Sequence, residues 1–87
     1  NYVMRKTKIN LNNDIRVDLI LKKIAKIFEN FNISELDGVK VDFEDSWIHL
    51  RKSNTEPIIR LYAEGKEMDH VDEIIKEFKE LIKSYSS

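Results

Sequence analysis

Residues 37–65 read DGVKVDFEDSWIHLRKSNTEPIIRLYAEG, and this stretch decides the fold. Asp37-Gly38 is a turn. After it Val39, Val41 and Phe43 alternate with Lys40, Asp42 and Glu44, the period of a strand with one buried face. Asp45-Ser46 predicts a hairpin turn, and Trp47 to Arg51 the returning strand, with Ile48 and Leu50 inward and Trp47 and His49 outward. A polar run follows, and then Ile58 to Glu64 predicts a further strand. In it Ile59, Leu61 and Ala63 share one face, while Ile58, Arg60, Tyr62 and Glu64 share the other. Gly65 ends it.

Outward from this block, Tyr2 to Asn10 carries the β-branched and aromatic residues of a first strand. It closes on a polar cluster of Asn10, Asn12, Asn13 and Asp14, which predicts a helix cap. From Asp14 to Phe31, Val17, Ile20, Leu21, Ile24, Ile27, Phe28 and Phe31 fall three and four residues apart and form one helical stripe, with Lys22, Lys23, Lys26 and Glu29 opposite. At the other end Asp69 predicts an N-cap, and Val71, Ile74, Ile75, Phe78, Leu81, Ile82 and Tyr85 a second amphipathic helix. Phe28, Phe31 and Phe78 are expected in the core. The order β-α-β-β-β-α predicts a two-layer α+β domain spanning 1–87, a four-stranded, mainly antiparallel sheet with two helices on one face.

The composition narrows the function classes. Eighty-seven residues suit one small domain. Fifteen Lys and Arg against 16 Asp and Glu leave a net charge of -1, so no broad field recommends nucleic acid or an anionic membrane as partner. With no cysteine the fold needs no disulfide or thiolate metal site, which is compatible with a cytoplasmic location. No apolar run approaches the roughly 18 residues of a membrane span. The chain opens on Asn1 rather than Met, which suggests a piece of a longer protein, although processing or removal of a tag would look the same.

The polar run between the last two strands, Arg51-Lys52-Ser53-Asn54-Thr55-Glu56-Pro57-Ile58-Ile59-Arg60, has the makings of an anion pocket. Ser53 and Thr55 bring hydroxyls, Asn54 brings amide donors, and backbone N–H groups can converge in a tight turn. Pro57 has no N–H and stiffens the exit. Arg51 and Arg60 are always charged, and each guanidinium matches a phosphate or carboxylate bidentately. A phosphate is the expected ligand. Alternation turns Lys52 to the opposite face, as a solvated lysine. Asp42, Glu44 and Asp45 alternate faces or lie in the turn, so no metal site is expected from them. His49 and Trp47 are read as surface or interdomain packing and His70 as a residue of the last helix's first turn.

Taken together, the Arg51-x-Ser53-Asn54-Thr55-Glu56-Pro57-x-x-Arg60 loop, Asp37-Gly38-Val39-Lys40, the Trp47 hairpin and Leu61-Tyr62-x-Glu64 resemble the C-terminal domain of the α-D-phosphohexomutase superfamily. The resemblance covers essentially the whole chain. It implies a TATA-binding-protein-like fold, the last domain of a larger enzyme that moves a phosphoryl group between C1 and C6 of a hexose phosphate. By that resemblance Arg51, Ser53, Asn54, Thr55 and Arg60 contact the substrate phosphate and Glu56 supports them, holding Arg60 or a loop N–H. Asn54 in place of glycine resembles the phosphomannomutase and phosphoglucomutase branch more than the phosphoglucosamine mutase branch. Nothing here resembles the family's phosphoserine loop or its aspartate-rich Mg²⁺ loop. Catalytic residues and Mg²⁺ are therefore expected on other domains of the same parent chain, and the isolated domain is expected to be inactive. The competing expectation is a free-standing α+β small-molecule or RNA-binding regulatory module.

Overall fold

The computed structural model describes residues 1–12 and 16–86. Its elements are β1 (Val3–Asn10), α1 (Val17–Ile27), β2 (Asn32–Ser34), β3 (Val39–Asp42), β4 (Ser46–Lys52), β5 (Ile58–Gly65) and α2 (Met68–Ser86). The strands form one antiparallel sheet in the order β1-β5-β4-β3-β2. The hairpins β3-β4 and β4-β5 make its centre, and the first strand returns to pair with the last. The expected α+β architecture is observed, with five strands instead of four.

The side-chain period places the core. Val39, Val41, Ile48, Leu50, Ile59, Leu61 and Ala63 are all almost fully buried, and they are the inward positions of β3, β4 and β5. Against them lie Ile20, Leu21, Ile24 and Ala25 of α1 and Val71, Ile74, Ile75, Phe78 and Ile82 of α2, in one continuous cluster. Spacings of three and four put each helical set on one side of its helix, so the apolar stripes can close over the sheet. Outward residues of the same strands, among them Trp47, His49, Arg51, Arg60 and Tyr62, are exposed or half-buried. One sheet face is therefore core, and the other is open.

Several boundaries differ from the sequence expectation. β2 is the added strand, antiparallel to β3 with Ile33 opposite Val41. Three residues, two of them polar, carry too little period to announce a strand. α1 ends at Ile27, where Phe28 takes a non-helical conformation and its N–H bonds the Ile24 carbonyl. Phe31 thus leaves the helical stripe, and at 51% exposed it is not core. It contacts Phe28 and Phe43 edge-on while Phe28 stacks on Phe78. Ile27, also in the expected stripe, is exposed. Of the polar cluster expected to cap α1, Asn10 ends β1, and Asn13 and Asp14 lie outside the described residues; Arg16, in the N-cap position, makes no side-chain cap hydrogen bond. Asp69 falls within the first turn of α2 rather than before it, where its charge still suits the positive end of the helix dipole. The β3-β4 turn sits one residue early, on Glu44-Asp45, closed by Phe43 N–H to the Ser46 carbonyl at 2.8 Å.

Gly38 has φ +70°, the left-handed region that glycine enters without strain. A Cβ there would lie 2.0 Å from the Leu50 carbonyl oxygen. The turn before β3 is therefore pressed flat against β4, which brings Asp37 beside the end of that strand.

Candidate functional site

The loop joining β4 to β5 is residues 53–57, and hydrogen bonds close it from both sides. Ser53 N–H donates to the Ile58 carbonyl at 3.3 Å, and Ile58 N–H to the Glu56 carbonyl at 2.8 Å. Pro57, which can only accept, receives Leu11 N–H at 2.8 Å from the chain just beyond β1. Within the loop Thr55 N–H donates to Ser53 Oγ at 3.3 Å, and the Ser53 and Thr55 hydroxyls are 3.5 Å apart. Ser53, Asn54 and Thr55 thus form one compact polar surface, with Asn54 and Thr55 exposed.

The strand register places the two arginines. Arg51 is the direct cross-strand partner of Arg60, so both sit in one row on the open face, beside the loop. Like charges in direct opposition destabilise a sheet, which makes the pair a poor choice for stability alone. Arg51 is partly neutralised: its Nη2 lies 3.0 Å from Asp37 Oδ2, with both side chains about half exposed. A guanidinium has five N–H donors, so the ion pair leaves most of the fork for another partner. The Asp37 carbonyl also contacts His49 Nε2, so the turn is fastened to β4 at two outward positions. Arg60 has no ion-pair partner among the described residues.

The remaining expected site residues fall as follows. Glu56 is exposed, its backbone carbonyl accepts from Ile58, and it forms no ion pair with Arg60 among the described residues. Lys52 does point to the helix side, but it is ion-paired with Asp18 of α1 at 3.0 Å. Trp47 donates its indole N–H to Glu64 at 3.1 Å and lies under the Lys40 ammonium, on the open face as expected. His70 meets the buried Ser46 hydroxyl at 3.4 Å, at the other end of the sheet. A concavity of about 730 Å³ lies at that end, between the Glu44-Asp45 turn and the start of α2, away from the loop. Among the described residues no three His, Cys, Asp or Glu side chains are placed to hold a metal ion.

Sequence reading missed Asp37 as a partner of Arg51, because that contact depends on how Gly38 packs on β4. Residues 6–81 match the family model described as "Phosphoglucomutase/phosphomannomutase, C-terminal domain". The chain belongs to this family. It is 36% identical over 83 residues to a phosphoglucosamine/phosphogalactosamine mutase of Sulfurisphaera tokodaii, covering 93% of this chain and 18% of that protein. It is 38% identical over 63 residues to a phosphomannomutase of Methanocaldococcus jannaschii, covering 72% of this chain and 14% of that protein. The chain thus spans less than a fifth of the length of these relatives. Because both names occur at near-equal identity, similarity does not support the branch assignment drawn from Asn54. In structure, a phosphoglucomutase/phosphomannomutase family protein of Burkholderia thailandensis superposes with a TM-score of 0.67 at 23% identity, covering 98% of this chain and 18% of that one. That likeness is one of fold. No helix among the described residues of this domain is long and apolar enough to cross a membrane.

Proposed function

We propose that this domain binds the phosphate group of a hexose phosphate, as the C-terminal part of a phosphohexomutase that moves a phosphoryl group between C1 and C6 of the sugar. The observation that carries this reading is the direct pairing of Arg51 with Arg60 beside the 53–57 loop. Two permanent cations are held together there against their repulsion, next to hydroxyls and an amide. A dianionic phosphate offsets both charges and accepts from all of these donors. Its oxygens would take the N–H bonds of Arg51 not directed at Asp37, those of Arg60, the Ser53 and Thr55 hydroxyls and the Asn54 amide. Glu56 is too acidic to face the ligand and stands outside it.

Among the described residues no base is paired with the Ser53 or Thr55 hydroxyl to activate it as a nucleophile, and the role of the clamp is to hold the non-reacting phosphate while chemistry occurs at the other end of the sugar. Binding energy taken there orients the substrate and can be used in the transition state for transfer. By likeness to the family, the Mg²⁺ that assists transfer would be held by other domains of the parent chain. A site that grips phosphate and leaves the sugar loosely held also accepts either end of the intermediate when it turns around. The test is Arg51→Ala in the longer enzyme. Loss of charge-assisted hydrogen bonds, taken at the lower end of about 1.5–3 kcal/mol because the side chain is half exposed, reduces kcat/KM at least tenfold. An unchanged kcat/KM would overturn the reading.

A further inference from the structure

The row of cations on the open face does not end at the two arginines. Arg60 pairs with Arg51 on one side and with Lys8 of β1 on the other, so Arg51, Arg60 and Lys8 stand abreast on three neighbouring strands. Lys8 is exposed and Ile9 is buried, which fixes Lys8 on the same outward face as the arginines. Resting on the phosphate-binding reading above, we propose that Lys8 is a third anion-binding residue of this site, completing the phosphate position from β1.

Three observations support it. First, β1 is fastened to the loop itself: Asn10 is the register partner of Ile58, and Leu11 N–H donates to the Pro57 carbonyl at 2.8 Å. Lys8 therefore keeps a fixed place relative to Ser53 and Thr55. Second, Asp37 is committed to Arg51 and Glu64 to the Trp47 indole. Among the described residues neither Arg60 nor Lys8 has an ion-pair partner, although they face each other. Third, neighbouring strands lie about 4.8 Å apart, so the row spans about 10 Å, within the combined reach of two long side chains converging on one phosphate. Lys offers a mobile point charge where Arg offers a fixed fork. Lys8 thus adds attraction for the dianion without dictating its orientation, which suits a site that meets phosphates on differently oriented sugars.

The test is calorimetric titration of the 87-residue chain and its variants with glucose 6-phosphate, and with inorganic phosphate, at low ionic strength. Lys8→Gln weakens binding about fivefold, the size expected for one partly solvated charge within a few ångströms of the anion. Lys8→Arg retains binding to within about twofold, and so does Lys6→Gln, whose side chain lies one row away opposite Tyr62. The melting temperature of ligand-free Lys8→Gln is unchanged or higher, which separates lost binding from lost folding. If Lys8→Gln binds as the unaltered chain does while Arg51→Ala and Arg60→Ala lose binding, the role of Lys8 is overturned and the phosphate reading stands. Equal losses in Lys8→Gln and Lys6→Gln also overturn it, since a diffuse field would then suffice. If neither arginine variant changes binding, or the unaltered chain does not bind, the phosphate reading itself falls.

Discussion

Gly38→Ala tests how the fold builds the site. The new Cβ would lie 2.0 Å from the Leu50 carbonyl oxygen, 3.1 Å from its carbon and 3.2 Å from Arg51 Cα, all backbone atoms. Carbon and carbonyl oxygen come no closer than about 3.3 Å in favourable contacts, so the turn must retreat from β4 by more than about 1 Å. Alanine held at φ +70° costs about 1–2 kcal/mol in addition. The retreat strains the pairing that begins at Val39 opposite Leu50, worth about 1 kcal/mol for a hydrogen bond lost. The total is about 2–3 kcal/mol, or about 8–24 °C in melting temperature for a domain of this size. Urea denaturation of the two proteins measures it, with Asp37→Ala as control, since deleting the exposed ion pair alone costs less than about 1 kcal/mol. A loss below about 1 kcal/mol in Gly38→Ala would refute the claim that this turn must lie flat on β4.

Arg60→Thr relieves the opposition to Arg51 and Lys8, so the ligand-free chain melts at the same temperature or a few degrees higher, by about 0.2–1 kcal/mol. Added phosphate then no longer raises its melting point, and a lower melting point without ligand would contradict the claimed repulsion. Ile48→Ala empties a fully buried position between the hairpin and the helices and costs about 2–5 kcal/mol by urea denaturation; under 1 kcal/mol would place Ile48 outside the core. Trp47→Phe removes the donor to Glu64 from a partly buried contact and costs about 1 kcal/mol. Glu64→Gln, which keeps an acceptor, should cost less, and the reverse order would contradict the assigned bond.

How much of this was legible in the sequence depends on how local each signal is. Ile48 and Leu50, or Val71, Ile74 and Phe78, announce their faces by spacing alone, because a strand repeats every two residues and a helix about every 3.6. The polar run from Ser53 to Thr55 announces itself through donor chemistry. Phe31 misled because the stripe continues in the sequence after α1 has stopped at Ile27, and period cannot show where a helix ends without a capping signal. β2 was too short to show a period. The partners of the arginines were illegible for another reason. That Arg51 faces Arg60 follows from a hairpin register, that Arg60 faces Lys8 follows from a pairing between the first and last strands, and that Asp37 reaches Arg51 follows from a left-handed glycine. These are tertiary facts, and the charge character of the site rests on them.

The central claim, that the 53–57 loop with Arg51 and Arg60 receives a phosphate, is tested most directly by titrating glucose 6-phosphate into the isotopically labelled chain and following every backbone amide. The account requires shifts concentrated at Ser53, Asn54, Thr55 and the ends of β4 and β5, absent when unphosphorylated glucose is added. Shifts centred instead on the concavity beside His70, or equal shifts with glucose, would contradict it.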